Sequence, residues 1–295
     1  METNTSYVRF AFSPDSNYVA VAGADQTTQI MSGEQKILGN LDTGAGIPVL
    51  AWLSECRLIS ATSQGHVRVH EVSAEGAKKI ACISIPFSIK LGSRSFSEIL
   101  IKDVVAIVTS TDVVLLSVKS PWAVRRVVKL PFPLEVRCAA FHPSGTALAV
   151  GCARRSSILI VKIANELDPP QLASNLDPDV VNEIRLPTPP VCIGWSRYGE
   201  KLAIGTSAGQ LGLWDVPNGS VEFSPMEVAM RAVQFLSDAS VLVVTAERVM
   251  LVNIEETSIA DLVQQVRPKG RSIFCQDGVL VLSGDGGLER FQLTT

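Results

Sequence analysis

Residues 195–216, WSRYGEKLAIGTSAGQLGLWDV, contain the pattern that decides the fold. An aromatic residue is followed by a polar turn, a short apolar run, a turn containing glycine, and a second apolar run. Both runs are too short for a typical helix and are bounded by turn residues, which is typical of adjacent β-strands. This stretch therefore predicts two antiparallel strands joined by a tight turn.

The same order of elements recurs along the chain. Its aromatic residue stands at intervals of 40, 89, 54, 40 and 39 residues, at Phe12, Trp52, Phe141, Trp195, Phe235 and Phe274. A fixed period in this range indicates one structural unit copied along the chain. The interval of 89 residues holds two units, the second with a degenerate start within 93–99, so the sequence predicts seven units.

Each unit predicts the same pair of strands after the aromatic residue. The first series is Tyr18 to Ala22, Arg57 to Ala61, Val104 to Val108, Ala147 to Gly151, Lys201 to Gly205, Val241 to Thr245 and Val279 to Ser283. The second is Thr28 to Ser32, Val67 to Val72, Val113 to Val118, Ile158 to Ile163, Leu211 to Val216, Val249 to Ile254 and Leu288 to Leu293. β-Branched residues dominate both series. Helical spacing is confined to Ile259 to Val266.

Two stretches carry a family resemblance. Gly209 to Val216 resembles the end of a WD repeat, and Gly65 to Val72 resembles the same element with the Trp-Asp pair replaced by His70-Glu71. The resemblance implies an all-β, seven-bladed β-propeller of four-stranded antiparallel blades, one domain over 1–295. Only Trp214-Asp215 keeps the Trp-Asp pair, so the resemblance implies the fold and little of the function.

The last blade of such a propeller must be closed. The first innermost strand begins near Val8, and the last unit ends at Leu293 without room for a fourth strand. We expect Glu2 to Ser6 to form that strand. The alternative is an open edge that a partner's strand completes.

One connection is much longer than the others. Residues 164–190 are rich in proline and acidic residues, and part of the segment, Asn182 to Leu186, is predicted as the outer strand of unit four. Loops of this length are often functional. The segment is expected either to be a mobile insertion that needs no partner or to dock a protein partner, in which case Asp168, Asp177 and Asp179 are the candidate contact residues.

Composition narrows the class of protein. The net charge of −3 and the pI of about 5.7 provide no overall basic surface for nucleic acid or acidic lipid. The first twenty residues lack a secretory signal, and no apolar run is long enough to span a membrane. We expect an intracellular protein, cytoplasmic or nuclear, with at most peripheral membrane contact and its six cysteines as buried reduced thiols.

Catalytic groups are sparse. The only histidines are His66, His70 and His142, and each occupies a position that the repeat explains. Gly284 to Gly287 lacks the lysine and the following helix of a phosphate-binding loop. We expect no catalytic residue, no metal and no cofactor.

Two arginine pairs and one tryptophan are candidate contact residues. Arg154-Arg155 lies in a predicted turn, where both charges can face a partner. Arg125-Arg126 lies in a predicted strand, whose alternation separates the two side chains unless a bulge intervenes. Trp122, near Arg125, either anchors a partner or packs under its own blade.

These observations favour a non-catalytic interaction scaffold, a subunit or adaptor of an intracellular complex. Three alternatives remain. A phosphoinositide-binding propeller of the autophagy type uses an Arg-Arg pair within a longer motif that this sequence lacks. A propeller that promotes nucleotide exchange on a small GTPase in vesicle budding belongs to a membrane-anchored family. A propeller lactonase requires acidic or histidine side chains that converge on a central channel.

Overall fold

The structure is a computed structural model. It describes 7–13, 15, 17–23, 28–32, 36–41, 49–62, 65–85, 96–99, 104–109, 111–117, 122–130, 135–163, 180–226, 228–245, 247–256, 258–264, 273–276, 279–284 and 287–292. These residues form β-strands and turns. Among them, no helix has the length and hydropathy needed to span a membrane.

The chain divides into two compact units. The first contains three four-stranded sheets, which we number in chain order. Sheet 1 comprises β1 (Tyr7–Phe12), β2 (Tyr18–Gly23), β3 (Thr28–Ser32) and β4 (Ile37–Leu41); sheet 2 comprises β5 (Val49–Ser54), β6 (Arg57–Ala61), β7 (His66–Ser73) and β8 (Gly76–Ser84); sheet 3 comprises β9 (Phe96–Ile99), β10 (Val104–Val108), β11 (Asp112–Ser117) and β12 (Ala123–Lys129).

The second unit contains the remaining sheets. Sheet 4 comprises β13 (Val136–Phe141), β14 (Ala147–Cys152), β15 (Ser157–Lys162) and β16 (Val180–Arg185); sheet 5 comprises β17 (Pro190–Trp195), β18 (Lys201–Thr206), β19 (Gln210–Asp215) and β20 (Ser220–Pro225); sheet 6 comprises β21 (Met230–Ser237), β22 (Ser240–Thr245), β23 (Arg248–Asn253) and β24 (Ser258–Gln264); sheet 7 comprises β25 (Ile273–Gln276), β26 (Val279–Gly284) and β27 (Gly287–Gln292).

The predicted strand series are confirmed. Every sheet is antiparallel and takes its strands in chain order, and the two predicted series are its second and third strands. The outer strand predicted within 164–190 is β16. Helical spacing at Ile259 to Val266 was misleading, because Ile259 lies in strand β24. The single domain over 1–295 and the count of seven blades stay predictions.

Each end of a sheet collects a defined set of turns. The turn between the second and third strands lies at one end, together with the start of the first strand and the finish of the fourth. We call this the middle-turn end. The turns between strands one and two and between strands three and four lie at the other end, the outer-turn end.

Sheet 2 buries both of its faces against neighbouring sheets. One face of sheet 2 packs Leu58 and Val72 against Ala20 and Ile30 of sheet 1. The other face contributes Ile59, Ala61 and Val67 to a cluster with Val105, Ile107, Val114 and Leu116 of sheet 3. Strands with two buried faces have continuous apolar sequences, as β10 and β11 do, whereas the outer strand β20 is largely exposed.

Tryptophan at the end of a first strand fastens its sheet to the preceding one. Trp52 Nε1 donates to the carbonyl of Ala11 at 2.8 Å, and Trp195 Nε1 donates to that of Ala140 at 3.1 Å. Both carbonyls belong to the residue before the corresponding aromatic of the preceding sheet. The aromatic repeat therefore marks an inter-sheet hydrogen bond wherever the aromatic is tryptophan.

The closure predicted for the last blade lies outside the described residues. Sheet 7 has three strands among the described residues, in the order β25, β26, β27. Glu2 to Ser6 are not described, so their pairing stays a prediction.

The turns at the middle-turn ends of sheets 2, 4 and 5 have the same conformation. Gly65 and Gly209 have φ values of 82° and 75°, and Ser156 holds the corresponding position at 48°. The carbonyl of each accepts the backbone N–H that follows the outer strand, from Ile85, Leu186 or Met226 at 2.7–2.9 Å. Serine in the left-handed region is strained where glycine is not.

This turn predicts an order of stabilities. Gly65→Ala should lower the free energy of unfolding by about 1 kcal/mol through strain alone. Gly209→Ala should cost at least about 1 kcal/mol more, because its Cβ would lie 2.8 Å from the carbonyl oxygen of Val228. Ser156→Gly should stabilise the protein by up to about 1 kcal/mol. Urea denaturation of the three variants tests the order, and equal losses at both glycines would contradict it.

Candidate interaction surfaces

The Arg154-Arg155 pair lies in the β14–β15 turn, as predicted. The Arg154 side chain is 82% exposed and its Nε lies 3.8 Å from Glu135 Oε2. The Arg155 side chain is 51% exposed and its Nη1 lies 3.9 Å from Glu183 Oε1. These long, exposed ion pairs contribute little stability, so both guanidinium groups remain accessible to a partner.

Glu135 joins this turn to the first strand of sheet 4. Its Oε1 accepts a 2.7 Å hydrogen bond from Arg137 Nη2, while its Oε2 faces Arg154. One carboxylate thus lies between two arginines. The surface around the turn retains excess positive charge.

The strand alternation that separates Arg125 and Arg126 unless a bulge intervenes is interrupted, because β12 contains such a bulge. Leu115 pairs with Arg126 and Leu116 with Val124, which leaves Arg125 as an extra residue. Val124 and Val127 both pack against the cluster between sheets 2 and 3. Their spacing places Arg125 and Arg126 together on the opposite face of β12, where Arg125 Nη2 donates to Ser117 Oγ at 3.4 Å.

Two alternative roles were predicted for Trp122, and the structure shows the packing role. It is half-buried against the cluster between sheets 2 and 3, and the Arg57 guanidinium lies 5.9 Å from its ring centroid. A tryptophan held this way is largely committed to its own unit. Its role as a partner anchor stays a prediction.

The acidic candidates lie outside the described residues. Asp168, Asp177 and Asp179 belong to the undescribed stretch between β15 and β16. That stretch joins the outer-turn ends of these two strands, whereas Arg154-Arg155 lies at the middle-turn end of the same sheet. The two candidate contact regions therefore depart from opposite ends of sheet 4.

His70 occupies the position in sheet 2 that Trp214 occupies in sheet 5. His70 pairs across the sheet with Leu58, as Trp214 pairs with Leu202. The ring is buried, and its Nε2 lies 3.2 Å from Ser60 Oγ. Burial lowers the pKa of His70 to about 4, with smaller contributions from the positive charges of Arg68 and Lys79. A neutral, buried ring of this kind serves packing.

His142 links sheet 4 to sheet 5. Its Nε2 lies 3.2 Å from the Gly199 carbonyl, which only accepts, so Nε2 carries the proton. Its Nδ1 then accepts from Ser144 Oγ at 2.7 Å. The ring also meets Trp195 edge-on at 4.9 Å between centroids. Gly199 has φ 78°, and any Cβ there would overlap the imidazole, so the contact requires glycine.

The prediction of uniformly buried cysteines is wrong in part. Cys138, Cys152 and Cys192 are buried thiols that form no disulfide, but Cys56 and Cys82 are exposed. Cys56 lies in the β5–β6 turn, and Cys82 lies on the outer strand β8. Burial, assisted by the negative charge of Glu183, raises the pKa of Cys152 to about 12, which suppresses its thiolate.

One exposed cluster was missed by the sequence reasoning. Tyr198 is 66% exposed at the outer-turn end of sheet 5, and the Arg197 guanidinium lies 5.8 Å from its ring centroid. Leu236, 41% exposed, lies near the end of the adjacent β21. Tyr198 follows Trp195 within the repeat turn, so the turn pattern alone did not mark it as a contact residue.

Within the part of the chain that the structure describes, no group of three or more histidine, cysteine, aspartate or glutamate side chains is arranged to hold a metal ion.

Comparison with known proteins identifies the fold. No family model matches the chain, and no curated protein matches its sequence. The crystal structure of Saccharomyces cerevisiae Sqt1 superposes with a TM-score of 0.71 at 12% identity, covering 100% of this chain and 97% of Sqt1. The all-β chain thus has a β-propeller fold of the WD-repeat-like kind. Because 1722 solved chains match, the fold is too common to identify an activity.

His70 predicts an acid-sensitive stability. Since its folded pKa lies below the unfolded value of 6.5, the unfolded chain binds the proton first, and stability is lost as pH falls from 6.5 towards 4. We expect a loss of about 2 kcal/mol between pH 7 and pH 5. His70→Leu should remove this slope, measured by urea denaturation at each pH. Leu58→Ala should destabilise the protein at both pH values yet keep the slope; a slope retained in His70→Leu would refute the assignment.

Thiol reactivity should follow burial. In the native protein a maleimide should label Cys56 and Cys82 quickly, while Cys138, Cys152 and Cys192 should react only after denaturation. Peptide mapping by mass spectrometry identifies the labelled sites. Rapid native labelling of Cys152 would contradict its buried position.

Proposed function

We propose that this chain is a non-catalytic interaction scaffold, a subunit or adaptor of an intracellular multiprotein complex. The observation that carries the proposal is the distribution of side chains between the interior and the sheet ends. Sheet faces are buried against each other, and His70, His142 and Cys152 have packing or structural contacts. The exposed groups are those that protein interfaces favour.

The outer-turn end of sheets 5 and 6, which exposes Arg197, Tyr198 and Leu236, is one such surface. Tyrosine and arginine are enriched among the residues that dominate binding energy, and an exposed leucine on the adjacent sheet supplies apolar area. The Arg154-Arg155 turn is a second surface, at the other end of the sheets. A propeller that presents contact residues at both ends suits a protein that joins two partners.

The phosphoinositide alternative gains support from the bulge in β12. It places Arg125 and Arg126 on one face, which regular alternation would prevent. Two neighbouring arginines can bind one phosphate group. The net charge of −3 favours the protein-binding scaffold over this alternative.

Affinity purification from cells with quantitative mass spectrometry tests the proposal. The tagged wild-type chain should recover at least one stoichiometric partner. Tyr198→Ala with Leu236→Ser, or Arg154→Glu with Arg155→Glu, should reduce that recovery by about tenfold, as expected for loss of a binding-dominant group.

Lys78→Gln with Lys79→Gln, two exposed positions on the outer strand β8, provides the matched control and should retain the partner. Liposome flotation with and without phosphoinositides tests the alternative, with Arg125→Gln plus Arg126→Gln as the variant. Specific flotation that this variant abolishes, together with no stable protein partner, would refute the scaffold and favour the lipid.

A further inference from the structure

The two ends of sheets 4 to 6 differ in charge. At the middle-turn end, the described charged residues are six arginines and three glutamates: Arg137, Arg154, Arg155, Arg185, Arg231 and Arg248, with Glu135, Glu183 and Glu247. At the outer-turn end they are five acidic and three basic residues: Glu200, Asp215, Asp238, Glu255 and Glu256, with Lys162, Arg197 and Lys201. An acidic protein thus has a basic middle-turn face.

The middle-turn ends of these sheets lie side by side. Trp195 of sheet 5 bonds to Ala140 of sheet 4, so the first strands of the two sheets run in register. Cys192, near the start of β17, shares a core cluster with Met230 at the start of β21. With sheets about 10 Å apart, this face extends over about 20 Å.

Two of the arginines lie at β-bulges. The register of β13 shifts between Val136 and Cys138, and that of β21 between Met230 and Ala232, so Arg137 and Arg231 are the extra residues. The Nε of each is buried without a hydrogen-bond partner among the described residues. Each Nε atom is inaccessible, so neither can contact a surface ligand; Arg137, whose side chain is 33% exposed, and Arg231 add positive charge to the face.

Unpaired acceptors and hydroxyls share the face. Ser157 Oγ, Thr188 Oγ1 and Gln210 Oε1 are likewise buried without a hydrogen-bond partner among the described residues, and all three lie at the middle-turn end of sheets 4 and 5. Because these atoms, like the two Nε atoms, are inaccessible, a surface ligand cannot contact them. The charge of the arginines is therefore what a ligand of this face must complement.

We propose that the middle-turn face of sheets 4 to 6 binds an extended acidic segment of a partner protein. Carboxylates of the segment pair with the exposed arginines, such as Arg154 and Arg155. A face of about 20 Å accommodates about six extended residues. The inference rests on the proposed scaffold function and specifies the chemistry of one partner.

A peptide fits this face better than a polyphosphate does. Glu135 and Glu183 remain among the arginines and repel a dense array of negative charge, such as the phosphates of a lipid or a nucleic acid. An acidic peptide can space its carboxylates so that they lie beside the arginines.

Fluorescence anisotropy with purified full-length protein tests the proposal. The probe is a fluorescein-labelled peptide of alternating glutamate and glycine, and a peptide with glutamine for glutamate is its control. The glutamate peptide should bind, more weakly at higher salt, and the glutamine peptide should bind at least about fivefold more weakly. Equal binding of the two peptides would overturn the proposal.

Variants locate the site. Arg154→Gln with Arg155→Gln and, separately, Arg185→Gln with Arg231→Gln should each weaken binding by about fivefold. Lys162→Gln with Lys201→Gln removes the same charge from the outer-turn end and should leave binding unchanged. Thermal denaturation confirms that each variant is folded; because Arg154 and Arg155 are exposed, their variant remains informative if the Arg231 change disturbs packing.

The remaining outcomes separate this inference from the proposed function. No binding of the glutamate peptide, with a cellular partner retained by every arginine variant, overturns the acidic-peptide site and leaves the scaffold. Binding of phosphoinositide vesicles or single-stranded DNA more tightly than the peptide, lost in the same variants, assigns the face to another ligand and overturns the proposal. Absence of any stoichiometric cellular partner defeats the scaffold itself, whatever the peptide does.

Discussion

Burial of both faces of a sheet against its neighbours, as in sheets 2 and 5, is the constraint on which the structure depends. A sheet in which Leu58 faces one neighbour and Ile59 the other cannot satisfy both faces alone. Neighbouring copies supply the missing apolar surface, which is why a unit of about 40 residues repeats. Strands with two buried faces must then be continuously apolar, and outer strands are free to carry charge.

Contacts at the strand ends refine this packing. The indole N–H of Trp52 or Trp195 donates to the preceding sheet, so the repeated aromatic residue adds a directional bond to nonpolar contact. His142, in the β13–β14 turn, also makes an inter-sheet hydrogen bond, to the carbonyl of Gly199. Its imidazole fits there only because residue 199 is glycine. In sheet 2 the Trp-Asp pair typical of WD repeats is replaced, and His70 occupies the position of the tryptophan. Its ring lies beside Ser60 in a buried position that favours the neutral form.

Much of this could be predicted from sequence because it depends on periodicity. Runs such as Ala147 to Gly151 and Ile158 to Ile163 are hydrophobic on both faces, and their spacing reveals the repeat. The candidate surfaces were less predictable, since a surface depends on register. The extra residue Arg125 interrupts the alternation of side chains in β12 and brings Arg125 and Arg126 to one face. No residue type in β12 indicates that bulge. Cys82 was misjudged for a related reason: its apolar surroundings in sequence belong to an outer strand.

The charge asymmetry between the sheet ends also depends on where each residue lies along its strand. Acidic and basic residues are mixed along the chain, and a net charge of −3 gives no sign of a basic surface. Antiparallel folding sorts them, because positions half a repeat apart emerge at opposite ends of a sheet. Arg154 and Glu200 lie in turns of adjacent sheets, yet one belongs to the basic end and the other to the acidic end. The position of a residue within its repeat therefore decides at which end of a sheet it is presented to a partner, and composition does not reveal that position.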